Sequence, residues 1–344
     1  MTTERKQWVD VLKGFGILLV VAGHVLTGTT VVVIYMFHMP LFFFISGVLF
    51  KPENDVREYA VKKSVHLLIP YLSFLFLLNS DKIVNAFFLF LTSPSVGLLF
   101  SCGKEIAKQL YGGVVLWGVT GVFWFVTCLF FTQQCFNYLI LKCKKAETVL
   151  LVFLAYVLSL ANAFFVPEAR FPLALNTVFA ALPFFAAGYF GKPYLENKRV
   201  MGFVIAVFFV AVFFVERAGS VKLNYNMKLA NYGWPFVSFL IALGGIGFSV
   251  WLARAVSVVA LFEKFFSSLG RASLVIMFLH QAIQLPMKDS GFPLLCLPAA
   301  RIFFAVLISF LLYRVCEKTA WFRILFLGSY EDFRHLPGRR TGAL

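Results

Sequence analysis

Three histidines stand inside apolar runs where an ionisable group is costly. His24 lies in GILLVVAGHVL, His38 in YMFHMPLFFFISG and His280 in IMFLHQAI. An imidazole can take up or give back a proton near neutral pH, and in a nonpolar helix bundle such a group marks a site or a pathway unless it only hydrogen-bonds a neighbouring helix. Depth argues for a shared role. At 1.5 Å per helical residue, His24 is about 16 Å beyond Lys13, His38 about 20 Å from Lys51, and His280 about 14 Å past Arg271, so three of the five histidines are expected in one layer.

The segment WVDVLKG adds a second pair. Asp10 and Lys13, at i and i+3, share a helix face and can form an ion pair at the membrane surface. Asp10 cannot orient His24 directly, because fourteen helical residues separate them by about 21 Å. Ser46, in ISG, lacks the context of a nucleophile elbow and reads as a small packing residue beside Gly47. Six cysteines form no CxxC pair and no histidine stands at metal-ligand spacing, so neither a disulfide framework nor a metal site is expected.

The elements that must hold these residues follow from composition. Of 344 residues, 60% are hydrophobic and only 14% charged, which excludes an ordinary soluble domain. Apolar runs of membrane-spanning length are continuous, not alternating, so they are helices and not barrel strands. We place spans at about 11–33, 35–50, 65–79, 121–141, 148–166, 174–191, 200–215, 233–252, 269–286 and 294–313. The fold class is an all-α integral membrane protein, a bundle of about ten transmembrane helices. Stretch 83–100, interrupted by TSPS, reads as an interfacial or re-entrant segment. With the N- and C-termini cytoplasmic, 22 of the 31 Lys and Arg fall inside, and the net charge of +15 reports topology, with no nucleic-acid partner implied. The expected domains are a membrane domain over 1–315 and a basic cytoplasmic tail over 316–344. Trp124, near the outer interface, reads as an aromatic-belt residue or as a platform for stacking a sugar.

The chain resembles acyltransferase family 3, the multi-pass O-acyltransferases that decorate surface sugars, and within it the fucose 4-O-acetylase-like branch. The resemblance rests on D10-x-x-K13-G14 followed by VVAGH24, FHMPLFFFISG (37–47), KK-x-x-x-LLIPY (62–71), GVFWFV (121–126), LPFFAAGYF (182–190) and LG-x-AS-x-x-IMFLH (269–280), in order. It implies an inner-membrane O-acetyltransferase that uses acetyl-CoA as co-substrate, with no metal, and a sugar or lipid-linked glycan as acceptor. By the same resemblance His24 is the catalytic base; Asp10 and His280 complete the expected catalytic set, Asp10 by ordering the entrance with Lys13 and His280 because it shares the layer of His24. Lys13, Lys62 and Lys63 would hold CoA, and His38 and Trp124 would meet the acceptor. One departure concerns the donor: where many members carry R-x-x-R, this chain reads Lys63-Ser-Val-His66, which offers point charges without the bidentate fork. The residues alone also fit a transporter or flippase for a lipid-linked sugar, or a scaffold in polysaccharide export. A transporter would be expected to show broken helices repeated in two halves, and no such symmetry is present in the sequence.

Overall fold

In a hydrocarbon environment every backbone polar group must be satisfied within the protein, and the continuous apolar runs do this as helices. The computed structural model describes residues 7–92, 96–169, 171–218, 223 and 225–336. Its helices are α1 (Gln7–Gly23), α2 (Thr29–Leu49), α3 (Val56–Lys63), α4 (Ile69–Leu78), α5 (Ser80–Thr92), α6 (Val96–Tyr111), α7 (Trp124–Lys142), α8 (Lys145–Phe165) and α9 (Leu175–Gly191). They continue as α10 (Lys198–Ala218), α11 (Val237–Val256), α12 (Ala260–Arg271), α13 (Ser273–Lys288), α14 (Pro293–Cys296), α15 (Pro298–Cys316), α16 (Ala320–Leu327) and α17 (Tyr330–Arg334). A π-helical turn, Ser64–Leu68, joins α3 to α4. The described residues hold no strand, only an isolated bridge between Asn226 and Asn231.

Among the described residues, eight helices are long and apolar enough to cross a membrane, and the pair α12 and α13, bent by 75°, makes a ninth when counted as one broken span. Adding α1, with its 17 residues packed inside the bundle, gives the ten main helices that the sequence leads one to expect. The helices differ in placement: α2, α7 and α9 are mostly buried, whereas α8, α10 and α15 turn most of their surface outward.

Two boundaries differ from expectation in a way that matters. The apolar run expected as one span over 11–33 is broken: α1 ends at Gly23, residues 24–28 turn, and α2 begins at Thr29. Gly28, at φ 71°, supplies the left-handed conformation that turns the chain. His24 is therefore the first residue beyond a helix, not a residue in the middle of one. The stretch 83–100 is divided between α5 and α6, each too short to cross alone, while Ser93, Pro94 and Ser95 lie outside the described residues.

Two crossings are set by glycine. A Cβ on Gly14 would overlap the carbonyl oxygen of Phe266, and one on Gly270 would overlap that of Asp10, so α1 and α12 meet backbone to backbone. Gly47 and Gly188 do the same for α2 and α9, against the carbonyls of Phe185 and Phe44. Small residues that let helices approach closely are the usual basis of packing in membranes.

Contacts between connections define two ends of the bundle. At one end the loop after α2 is tied to α7 through Glu53 N–H donating to Asn137 Oδ1 at 3.0 Å. Arg254 donates to the Leu195 carbonyl at 2.8 Å, its guanidinium lies over Trp8 at 4.8 Å, and Gly328 of the C-terminal segment packs on His66. This end gathers Lys51, Lys62, Lys63, Lys142, Lys144, Lys145, Arg254 and α16, the segments that the positive-inside rule assigns to the cytoplasm. Of the charges used in that assignment, Arg5, Lys6, Arg170, Lys222, Arg339 and Arg340 lie outside the described residues. At the other end Tyr225 N–H donates to the Tyr35 carbonyl at 2.9 Å, and Lys228 bonds to the 116–121 connection. A variant keeping Cys143 as its one cysteine is accordingly expected to resist a membrane-impermeant maleimide in intact cells and to label after permeabilisation. Labelling of intact cells would reverse the orientation.

Candidate active site

The end of α1 is where the site is built. Its last carbonyls have no partner within the helix, and α13 supplies one: Gln284 Nε2 donates to the Val21 carbonyl at 3.1 Å. One turn earlier on the same face of α13, Gln281 Nε2 donates to His24 Nδ1 at 3.1 Å. Arg301 of α15 holds this arrangement from behind, its Nε donating to the Gln284 carbonyl at 3.3 Å. A histidine that has left its helix is thus fixed by a side chain from the far part of the sequence.

Four rings line up from there. His24 and His280 have centroids 5.2 Å apart, His24 and Tyr35 6.5 Å, and Tyr35 and His38 4.7 Å. His38 and His280 are each fixed by their own helix, with Nδ1 donating to the carbonyl four residues back: Ile34 at 2.9 Å and Ile276 at 3.0 Å. Both therefore keep Nε2 as an acceptor. His280 Nε2 is buried and has no partner, as has Gln281 Oε1. Unsatisfied buried acceptors are costly, and of these two only the Gln281 amide belongs to a residue that lines a cavity.

A cavity of about 350 Å³ opens on these groups, lined by His24, Tyr35, His38, Phe42, Trp117, Trp124, Tyr225, Lys228 and Gln281 among others. Trp124 is only 5% exposed and faces this space, so it does not belong to a lipid-facing belt. α2 runs unbroken through Pro40, with His38 on the cavity and Phe43 and Phe44 packed behind it. His280 stands beside His24 but behind the wall, wholly buried.

Asp10, Lys13, Lys62 and Lys63 are elsewhere. Asp10 is buried near the start of α1, with Lys13 Nζ 3.7 Å from its carboxylate, about 21 Å along the helix from His24. Lys13 does meet the second basic motif: Lys63 is in electrostatic range of Lys62 and Lys13, and His66 of Lys63 and Lys13. The site residues expected from sequence fall into two groups joined by α1, an imidazole and aromatic group at one end and a cationic group at the basic end.

A sequence profile described as an acyltransferase domain matches residues 6–314, nearly the whole chain. The chain belongs to acyltransferase family 3. It is a multi-pass membrane acyltransferase, and the match speaks for the family as a whole and not for one branch of it. No curated protein and no solved structure matches the chain.

Sequence reasoning missed three residues at this site, Gln281 and Lys228 on the cavity and Gln284 behind it at the end of α1. Gln281 and Gln284 are polar residues within a span, a signal that was available but weaker than the adjacent His280. Lys228 reads in sequence as one more loop charge. In the structure its Nζ donates to the carbonyls of Leu116 at 2.6 Å and Gly121 at 2.9 Å and lies 4.2 Å from the Trp117 ring centre.

Proposed function

We propose that the protein is an O-acetyltransferase of the plasma membrane, moving an acetyl group from acetyl-CoA to a hydroxyl of a surface sugar or glycan precursor, with His24 as general base. The observation that carries this reading is the placement of His24, held by Gln281 at the wall of an aromatic cavity, in a chain whose family transfers acyl groups. Trp117, Trp124, Tyr35 and Tyr225 offer flat apolar faces of the kind that stack against sugar rings.

The chemistry is a direct transfer. The acceptor O–H gives its proton to His24 Nε2 as its oxygen bonds to the thioester carbonyl carbon. The resulting tetrahedral species expels the CoA sulfur, the C–S bond breaks, and the thiolate takes the proton back from the imidazolium. The products are the ester and free CoA. For Nε2 to serve as base, Nδ1 must carry the ring proton. With Gln281 Nε2 donating, Nδ1 is the acceptor and the proton rests on Nε2. A half-turn of the amide presents Oε1 to an Nδ1–H and frees the Nε2 lone pair, so Gln281 is the residue that selects the reactive tautomer. His280 positions the base by packing against its ring, and burial of the site limits hydrolysis of the thioester. Asp10 orders Lys13 at the basic end, so its part in the reaction is indirect.

The donor's phosphates belong at the cationic group of Lys13, Lys62 and Lys63, with the thioester directed along α1 toward His24 over about 16 Å. The test is release of free CoA thiol from acetyl-CoA by the purified protein, given a panel of candidate sugars. Lys62→Gln with Lys63→Gln is expected to raise KM for acetyl-CoA by about 10-fold or more, as loss of charge-assisted bonds does, and to leave KM for the sugar unchanged. An unchanged donor KM would remove both lysines from the donor site. No thiol release with any acceptor or acyl-CoA would defeat the enzyme reading.

A further inference from the structure

The described lining of the cavity carries one formal charge, and it is positive. Lys228 sits on the 3-10 turn Met227–Leu229, which Asn226 caps by accepting from Leu229 N–H at 3.4 Å. Its ammonium is aimed by the carbonyls of Leu116 and Gly121 and by the face of Trp117, all neutral partners. Among the described residues no Asp or Glu lines the space it faces; the titratable neighbours there are His24, His38, Tyr35 and Tyr225. Burial alone holds the ammonium down at about 8, so it is charged at neutral pH in surroundings that supply no anion. A partly buried cation without a counter-ion is costly, and a fixed position beside the acceptor cavity gives it a use.

Resting on the acceptor-site reading above, we infer that the acceptor is itself an anion: a sugar bearing a carboxylate or a phosphate that pairs with Lys228 Nζ while its hydroxyl lies against His24. Carbonyl ligands keep the third N–H of the ammonium for such a group. The loop-pinning bonds alone would be served by any donor, whereas the charge discriminates among sugars. The basic end, where the donor's phosphates are placed, is the far end of α1, so Lys228 is not needed to hold CoA.

Binding is the direct test, because Trp117 and Trp124 line the cavity and their fluorescence reports occupancy without turnover. The full-length protein in nanodiscs is titrated with methyl glucuronide, its primary amide, glucose 1-phosphate and methyl glucoside. One or both acidic probes are expected to bind about 10- to 100-fold more tightly than the neutral ones, the worth of one charge-assisted hydrogen bond. Preference for the glucuronide alone identifies a sugar acid; preference for the phosphate alone identifies a phosphorylated or carrier-linked sugar. Lys228→Gln, which keeps a donor for the two carbonyls, is expected to abolish the preference, and Lys228→Arg to retain it. Equal binding of acidic and neutral probes by the native protein overturns the inference, as does a preference that survives Lys228→Gln. So does a Lys228→Gln loss confined to kcat for all acceptors, since that assigns the charge to the developing oxyanion. CoA release with neutral acceptors and no acidic preference sinks this inference alone. Acidic preference without CoA release under any condition leaves the anion site and removes the enzyme reading.

Discussion

His24→Gln is expected to reach the membrane at the native level and to lose about 10²- to 10⁴-fold in kcat, the usual worth of a positioned base and roughly 3 to 5 kcal/mol of barrier. His24→Ala should lose about as much. The comparison is informative because Gln can replace a hydrogen-bonding imidazole but cannot accept and return a proton. His24 bears no helical load, since it is the first residue past α1 and the Gln284 contact to the Val21 carbonyl remains to cap the helix end. The same replacements at His38 and His280 should give smaller losses, because their Nδ1 bonds go to their own helices at Ile34 and Ile276. Measured kcat for His24→Gln above about a tenth of the native value would show that no proton passes through this ring.

The second large effect is expected at Gln281. Gln281→Met keeps the volume, removes both amide atoms and leaves the tautomer of His24 unselected, so kcat should fall by roughly 10- to 10³-fold with little change in KM, in the range seen when groups that orient a histidine are removed. Gln281→Glu offers only acceptors to Nδ1. It should retain activity and move the acid limb of kcat/KM to higher pH: the added carboxylate favours the imidazolium, so more alkaline conditions are needed to leave the ring neutral. The groups that already face His24 are His280 from α13, Tyr35 and His38 from α2, and Lys228 from the 223–236 connection. A residue that merely filled space would tolerate Met and be damaged by a buried Glu, with no shift of the pH profile. Nitrogen-15 spectra of histidine-labelled protein report the tautomer without turnover, the His24 signal being assigned by its absence in His24→Gln. A native ring protonated on Nε2 with the acceptor bound would overturn the role given to Gln281 while leaving His24 as a candidate.

The amino-acid sequence by itself determined the membrane class, the helical architecture and the family. Long apolar runs leave the backbone only one way to satisfy its hydrogen bonds, and the signal is additive over about 20 residues, so no tertiary knowledge is needed. Charge placement similarly gave the two ends, because lysines and arginines are sorted one connection at a time. His24 and His38 were legible as intramembrane histidines, and the structure brings them to one cavity with Trp124.

What only the tertiary structure decided is the geometry at the end of α1. The run over 11–33 reads as one uninterrupted span, and the break after Gly23 is met by contacts that cap it from α13, about 260 residues away in sequence. Hydropathy sees composition within a window and cannot register a hydrogen bond closed across the bundle. For the same reason Gln281 and Lys228 were not singled out: each is an ordinary polar residue until folding sets it 3.1 Å from His24 Nδ1 or 4.2 Å from the Trp117 ring. The separation of Asp10 from the cavity was, by contrast, already fixed in the sequence. A helix rises by a constant amount per residue, and no packing of its neighbours can shorten it.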